Sequence, residues 1–162
     1  MAEAKDWGKV IEEKNVEIFD EFLTILEEEI AKAQGRKTPL SLVFIASDSE
    51  EVVLPFEQAE KSKVDEIASV LRDAGLEGRF LNFGYERLAI IFSLNAEDSL
   101  ALLETGLKAI NENNQETVSV GFSTYPKNGF LAEELAGSCL DALSQAVKSG
   151  GNCLIQSNSF KI

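Results

Sequence analysis

Few residues of this chain are equipped for chemistry, and most of those are acids. The 162 residues include no histidine, which removes the commonest general base and the commonest neutral metal ligand. Two cysteines, Cys139 and Cys153, match no zinc spacing; they read as ordinary thiols of a reducing compartment rather than a disulfide scaffold. Carboxylates are plentiful: 28 Asp and Glu stand against 15 Lys and Arg, a net charge of −13. That balance argues against nucleic acid and membrane as partners, because both need a cationic face. It also handicaps phosphate binding unless a basic patch or a metal reverses the field locally. The acids gather in a loop over residues 48–51, behind an apolar run, and one more, Glu86, stands in the turn Gly84-Tyr85-Glu86-Arg87 between two apolar runs. Taken alone, Glu86 is a solvated turn acid or a ligand contact, Arg87 a surface ion-pair partner, and Tyr85 a packing or interaction residue.

These groups need a frame. Hydrophobic residues make up 44% and charged residues 27% of the chain, so a packed domain is expected rather than disorder. Residues 8–35 carry Phe19, Leu23, Leu26, Ile30 and Ala33 at helical steps, with Gly35 as a stop. Leu40 to Ala46 is a nearly unbroken apolar run, as in a strand buried on both faces. Val64, Ile67, Ala68 and Leu71 give a second helix that closes near Gly75. Residues 79–83 and 88–92 are two strands around the Gly84-Tyr85-Glu86-Arg87 turn. A helix follows over residues 98–110, a strand over 117–122, a helix over 131–148 and a short strand over 153–155. The fold class is α/β, an α+β sandwich. At its centre is the β-α-β-β-α-β order of ferredoxin-like domains, preceded by a long N-terminal helix. No apolar run approaches the roughly 20 residues needed to span a bilayer. The charged N-terminus has no signal-peptide core, so the chain reads as cytoplasmic.

Four separated segments then resemble GGDEF domains, the palm-type nucleotidyl cyclase domains that make cyclic di-GMP. LEEEIAKAQGRKTPLSLVFIASD is similar to the helix, basic turn and strand that open such domains. FLNFGYERLAIIF resembles the signature hairpin, with Gly84 on its first glycine and Glu86 on its acidic third position. VSVGFSTYP and LAEELAGSCLDALSQAVKSGGN are similar to the following strand and the closing helix with its Gly-x-Asn end. The resemblance covers roughly residues 19–156. It divides the chain into an N-terminal helical extension, residues 1–18, and a degenerate GGDEF domain, residues 19–162.

The family condenses two GTP molecules with magnesium held by carboxylates, and the resemblance implies that this chain has lost the means. Ala46 stands where the first-strand acid would be, and Asp48 where a second Asp lies outside the metal site. Arg87 replaces one acid of the signature; a guanidinium repels a metal and prefers to pair with Glu86. Tyr85 replaces a glycine that lets the turn approach the nucleotide. Leu54 takes the place of the guanine-reading Asn, and Ser49-Glu50-Glu51 that of the phosphate loop. Val147 and Gly151 replace basic residues, with Lys148 shifted by one. Residues 75–78, Gly-Leu-Glu-Gly, replace the Arg-x-x-Asp of the product site. The implied function is a non-catalytic regulatory or interaction module in bacterial signalling. The expected partner is a protein or a second copy joined through the N-terminal helix. No catalytic or metal residue and no cofactor is expected; Gly84, Tyr85, Glu86 and Arg87 are the remnant binding turn. The alternatives are a sensor that binds Mg-GTP or cyclic di-GMP without turnover, and an active diguanylate cyclase.

Overall fold

The computed structural model describes residues 7–48, 63–84, 87–114 and 117–157. The chain runs α1 (Trp7–Arg36), β1 (Leu40–Ser47), α2 (Lys63–Asp73), β2 (Arg79–Gly84), β3 (Arg87–Phe92), α3 (Ala96–Asn114), β4 (Val118–Tyr125), α4 (Ala132–Lys148) and β5 (Cys153–Gln156). This is the element order read from the sequence, with no end moved by more than four residues. The five strands form one sheet in the order β2-β3-β1-β4-β5. β1 pairs antiparallel with β3 and β4, β2 pairs antiparallel with β3, and β5 runs parallel to β4. The first four strands with α2 and α3 are the ferredoxin-like unit; α1, α4 and β5 are added to it.

Alternation along β1 distributes its side chains to two cores. Leu40, Leu42 and Phe44 face α1 and α4, where Phe22, Leu26, Ile30, Leu135, Ala136 and Cys139 meet them. Val43 and Ile45 face α2 and α3, against Ile67, Leu71, Leu103 and Ile110. Both faces of β1 are therefore dry, which is why its sequence is apolar without alternation.

The α1 stripe differs in detail from the sequence reading. Phe22, not Phe19 or Leu23, is the buried member of the upper turn, and those two flank it half-buried. Gly35 lies inside the helix. The stop is Lys37, at φ +55°, with Thr38 N–H donating to Ala33 O at 3.0 Å and Lys37 N–H to Gln34 O at 3.3 Å. That pair of bonds closes the last turn whatever side chain supplies the left-handed residue, so a lysine does here what glycine usually does.

α4 crosses β4 at Gly121 with no space between them. A Cβ there would overlap the backbone nitrogen of Leu143 and come within 2.7 Å of Cys139 O. Glycine is required because two backbones touch. The contact sets the position of α4, and with it the turns at both ends of that helix.

Candidate functional site

β2 and β3 form the expected hairpin. Gly84, the last residue of β2, is paired with Arg87, the first of β3, across a register shift after Asn82. Two of the four expected turn residues, Tyr85 and Glu86, lie outside the described residues. So do Ser49, Glu50, Glu51 and Leu54. The sheet register places the hairpin base against the end of β1: Ala46 is opposite Arg87 on one side and opposite Ser119 on the other. Ala46 and Arg87, the residues expected at the first-strand position and in the remnant turn, are thus neighbours across one ladder step. Among the described residues, no three His, Cys, Asp or Glu side chains gather as metal ligands. A magnesium ion needs several oxygens, and neither side chain supplies one.

Asp48 follows Ala46 by two residues, and its carboxylate accepts three hydrogen bonds. Its Oδ2 accepts from Thr117 Oγ1 at 2.7 Å and from the Asn152 backbone N–H at 2.8 Å; its Oδ1 accepts from Ser119 Oγ at 2.6 Å. Its own N–H donates to Thr117 O at 3.1 Å. One carboxylate thereby joins the end of β1, the start of β4 and the α4–β5 turn. Sequence reasoning placed Asp48 outside the metal site but missed this role. The available signal was the Thr-x-Ser spacing that opens β4 together with a Gly-Gly-Asn turn.

The closing helix ends at the same place. Val147 is largely exposed, and Gly151, at φ +79°, lies against the Asp48 carboxylate. Residues 75–78, expected in place of the product site, lie elsewhere. Gly75 and Gly78 precede β2, at the end of the sheet opposite the hairpin tip. A cavity of about 510 Å³ opens there, lined by Glu29, Leu40, Gly75, Gly78, Arg79 and Phe92 among others. Arg79 Nη1 lies 3.3 Å from Glu29 Oε1 and ties α1 to the first residue of β2.

Structural comparison places this arrangement. The GGDEF domain of YfiN (TpbB) from Pseudomonas aeruginosa superposes with a TM-score of 0.71 at 15% identity, over 85% of this chain and 94% of that one. The chain has the fold of GGDEF domains. The active GGEEF domain of a diguanylate cyclase from Vibrio cholerae matches with a TM-score of 0.73 at 16% identity, covering 86% of this chain and 96% of that one. The diguanylate cyclase SiaD of Pseudomonas aeruginosa, solved with its activator SiaC, matches at 0.66 and 19% identity, over 85% and 57%. No protein-family model and no curated protein matches the chain. At these identities the GGDEF fold is what is shared; the chemistry has to be argued from the residues.

Within that fold the remaining titratable group of note is Cys139. It is fully buried, and its Sγ donates to Gly121 O at 3.2 Å. Burial pushes its thiol far up, so it is a core residue and not a nucleophile. No helix among the described residues is long and apolar enough to cross a membrane.

Proposed function

We propose that this chain is a non-catalytic GGDEF-like domain that acts as a regulatory or interaction module in cytoplasmic bacterial signalling. The observation that carries the reading is the register of Ala46 against Arg87. Phosphoryl transfer between two nucleotides needs metal-held phosphates, and metal holding needs converging carboxylates. At the two neighbouring positions where the resemblance expects acids, one side chain has no oxygen and the other is a cation. The nearest described carboxylate, Asp48, has its oxygens committed to Thr117, Ser119 and Asn152. Interaction remains as the use of the fold. The 30-residue α1 is the natural surface for a second copy or a protein partner, and SiaD, of the same fold, is found with an activator protein.

Purified protein given GTP and magnesium is expected to yield no cyclic di-GMP by chromatography and mass spectrometry. Steady product that vanishes in Glu86→Ala would overturn the reading. The double change Ala46→Asp with Arg87→Glu is expected to raise magnesium affinity without restoring turnover. Metal binding follows ligand count and charge, whereas turnover also needs guanine and phosphates held in line. Binding of labelled GTP, with and without magnesium, separates this reading from that of a sensor: saturable binding without product would favour the sensor.

A further inference from the structure

Three donors converge where β1 leaves the sheet and the α4–β5 turn arrives. Two are hydroxyls on alternate residues, Thr117 and Ser119, and the third is the backbone N–H of Asn152. The turn supplying that N–H has positive φ at three successive residues, 107° at Gly150, 79° at Gly151 and 50° at Asn152. Gly150 and Gly151 donate their N–H groups to Val147 O and Ala146 O and close α4, which leaves the Asn152 N–H as the one the turn aims at the carboxylate. All three donors point at one carboxylate, at 2.6–2.8 Å. Gly151 completes the enclosure. A Cβ at that position would stand 2.7 Å from Asp48 Cγ and Oδ2 and 2.8 Å from Oδ1, so the glycine leaves room for an anion and for little else.

We infer that these donors form an oxyanion site occupied by the chain's own Asp48. The side chain is an internal plug: it holds the α4–β5 turn against β1 and β4, and it denies the three donors to a phosphate or carboxylate from solution. The donors belong to Thr117, Ser119 and the turn, whereas the anion belongs to Asp48 at the end of β1. Removing the plug deletes none of the receptor groups. A small oxyanion such as formate then fits the vacated position, with one oxygen for Ser119 and the other for Thr117 and Asn152. The donors and the carboxylate that fills them are the same whether or not the chain handles GTP.

The test is chemical rescue of Asp48→Ala in the full chain, with formate as the probe and chloride at matched ionic strength as the control. The variant is expected to lose about 5–10 °C in Tm, the size set by charged hydrogen bonds in a domain of this length. Formate should return at least half of that loss along a saturable curve and move the Asn152 amide resonance back toward its wild-type position. Wild type should show neither effect, and adding Ser119→Ala to the variant should weaken the rescue. Equal recovery in chloride, or formate shifting Asn152 in wild type, overturns the plug. Should Asp48→Ala fail to fold in both salts, Asp48→Asn carries the test, since it keeps the shape and removes the charge. Its Asn152 amide should exchange about tenfold faster with no response to formate; unchanged exchange overturns the inference.

Discussion

The two ends of the sheet are closed by polar latches of different character. Where β4 ends, the latch is neutral. Asn128, buried in the turn after β4, accepts from Thr124 N–H at 2.9 Å and donates from Nδ2 to Ser157 O at 3.2 Å, tying the turn to the chain beyond β5. Beside it, at the start of β1, Ser41 donates to Leu94 O at 2.8 Å and shares a 2.7 Å bond with Ser99. At the other end the latch is a carboxylate, Asp48, with hydroxyl and amide donors around it. Neutral amides and hydroxyls at the first end satisfy one another. A charge at the second end asks for more donors and draws together parts that are distant in sequence. The end at which the GGDEF resemblance expects nucleotide chemistry is thus the end where this chain spends its best-placed acid on holding itself together.

The largest effect should come from moving α4, because both latches hang on it. Asn128 precedes that helix and Asn152 follows it. Gly121→Ala drives a Cβ into the Leu143 backbone and should cost about 3 kcal/mol or more in urea unfolding, at the upper end of overpacking effects. A loss under about 1 kcal/mol would mean that α4 slides freely and that the two ends are independent. Asn128→Ala tests one end by itself. It strands the buried Thr124 N–H and removes the bond to Ser157 O, and the expected loss is about 2 kcal/mol. Amide exchange should quicken at Thr124 and stay unchanged at Asn152. Faster exchange at both would show that the latches act as one.

Between the two ends, Cys139 makes the middle of α4 sensitive to alkali. Its thiol is raised far above the ordinary value of 9.0, chiefly by burial. Above about pH 9 the unfolded chain releases a proton that the folded chain keeps, so the unfolded state binds fewer protons and stability falls as pH rises. The slope approaches about 1.4 kcal/mol per pH unit, and below pH 8 the contribution is nil. Cys139→Ala should remove that part of the slope between pH 9 and 10.5 in denaturant titrations; equal slopes would show that the thiol ionises without unfolding.

The fold was legible in the sequence for a physical reason. β1 is apolar on both faces, and the helices α2 and α3 repeat their apolar residues at a helical period, so pattern and burial coincide. Phe22 escaped because α1 carries a wide apolar band, Phe19, Phe22, Leu23 and Leu26, from which periodicity alone cannot choose the most buried member. Lys37 escaped because the bonds that end α1 need a backbone shape, and lysine does not advertise it. Of the site, the sequence could say what Ala46 lacked; its pairing with Arg87 depends on β1 lying beside β3, which only the sheet order supplies. It could not say what Asp48 does, because its partners lie 69, 71 and 104 positions away along the chain. Asn128 was hidden for a different reason: in a Tyr-Pro-Lys-Asn-Gly turn an asparagine looks like ordinary turn chemistry, and its tie to Ser157 depends on where β5 ends.

The smallest effect should come with the opposite sign, at the start of α4. Leu131 occupies the N-cap position with extended backbone, φ −103° and ψ 152°, and its side chain makes no capping bond. Serine, threonine, aspartate and asparagine are preferred there because a side-chain oxygen can accept from the first free N–H groups of the helix. Half of the usual arrangement is present: Glu134 Oε1 accepts from Leu131 N–H at 3.1 Å and from Phe130 N–H at 3.3 Å. The other half is missing, and the leucine is 64% exposed, so it gains little by burial in return. Leu131→Asp would supply the absent acceptor and place a negative charge at the positive end of the helix dipole. Glu133 and Glu134 already crowd that turn with like charge, which trims the benefit. The expected outcome is a gain of about 0.5–1 kcal/mol in urea unfolding. The gain should vanish in the Asn128→Ala background if the neutral latch is what holds the first turn of α4 in a shape that a cap can serve. A loss of stability in Leu131→Asp would mean that the leucine packs in the folded chain more than its exposure allows.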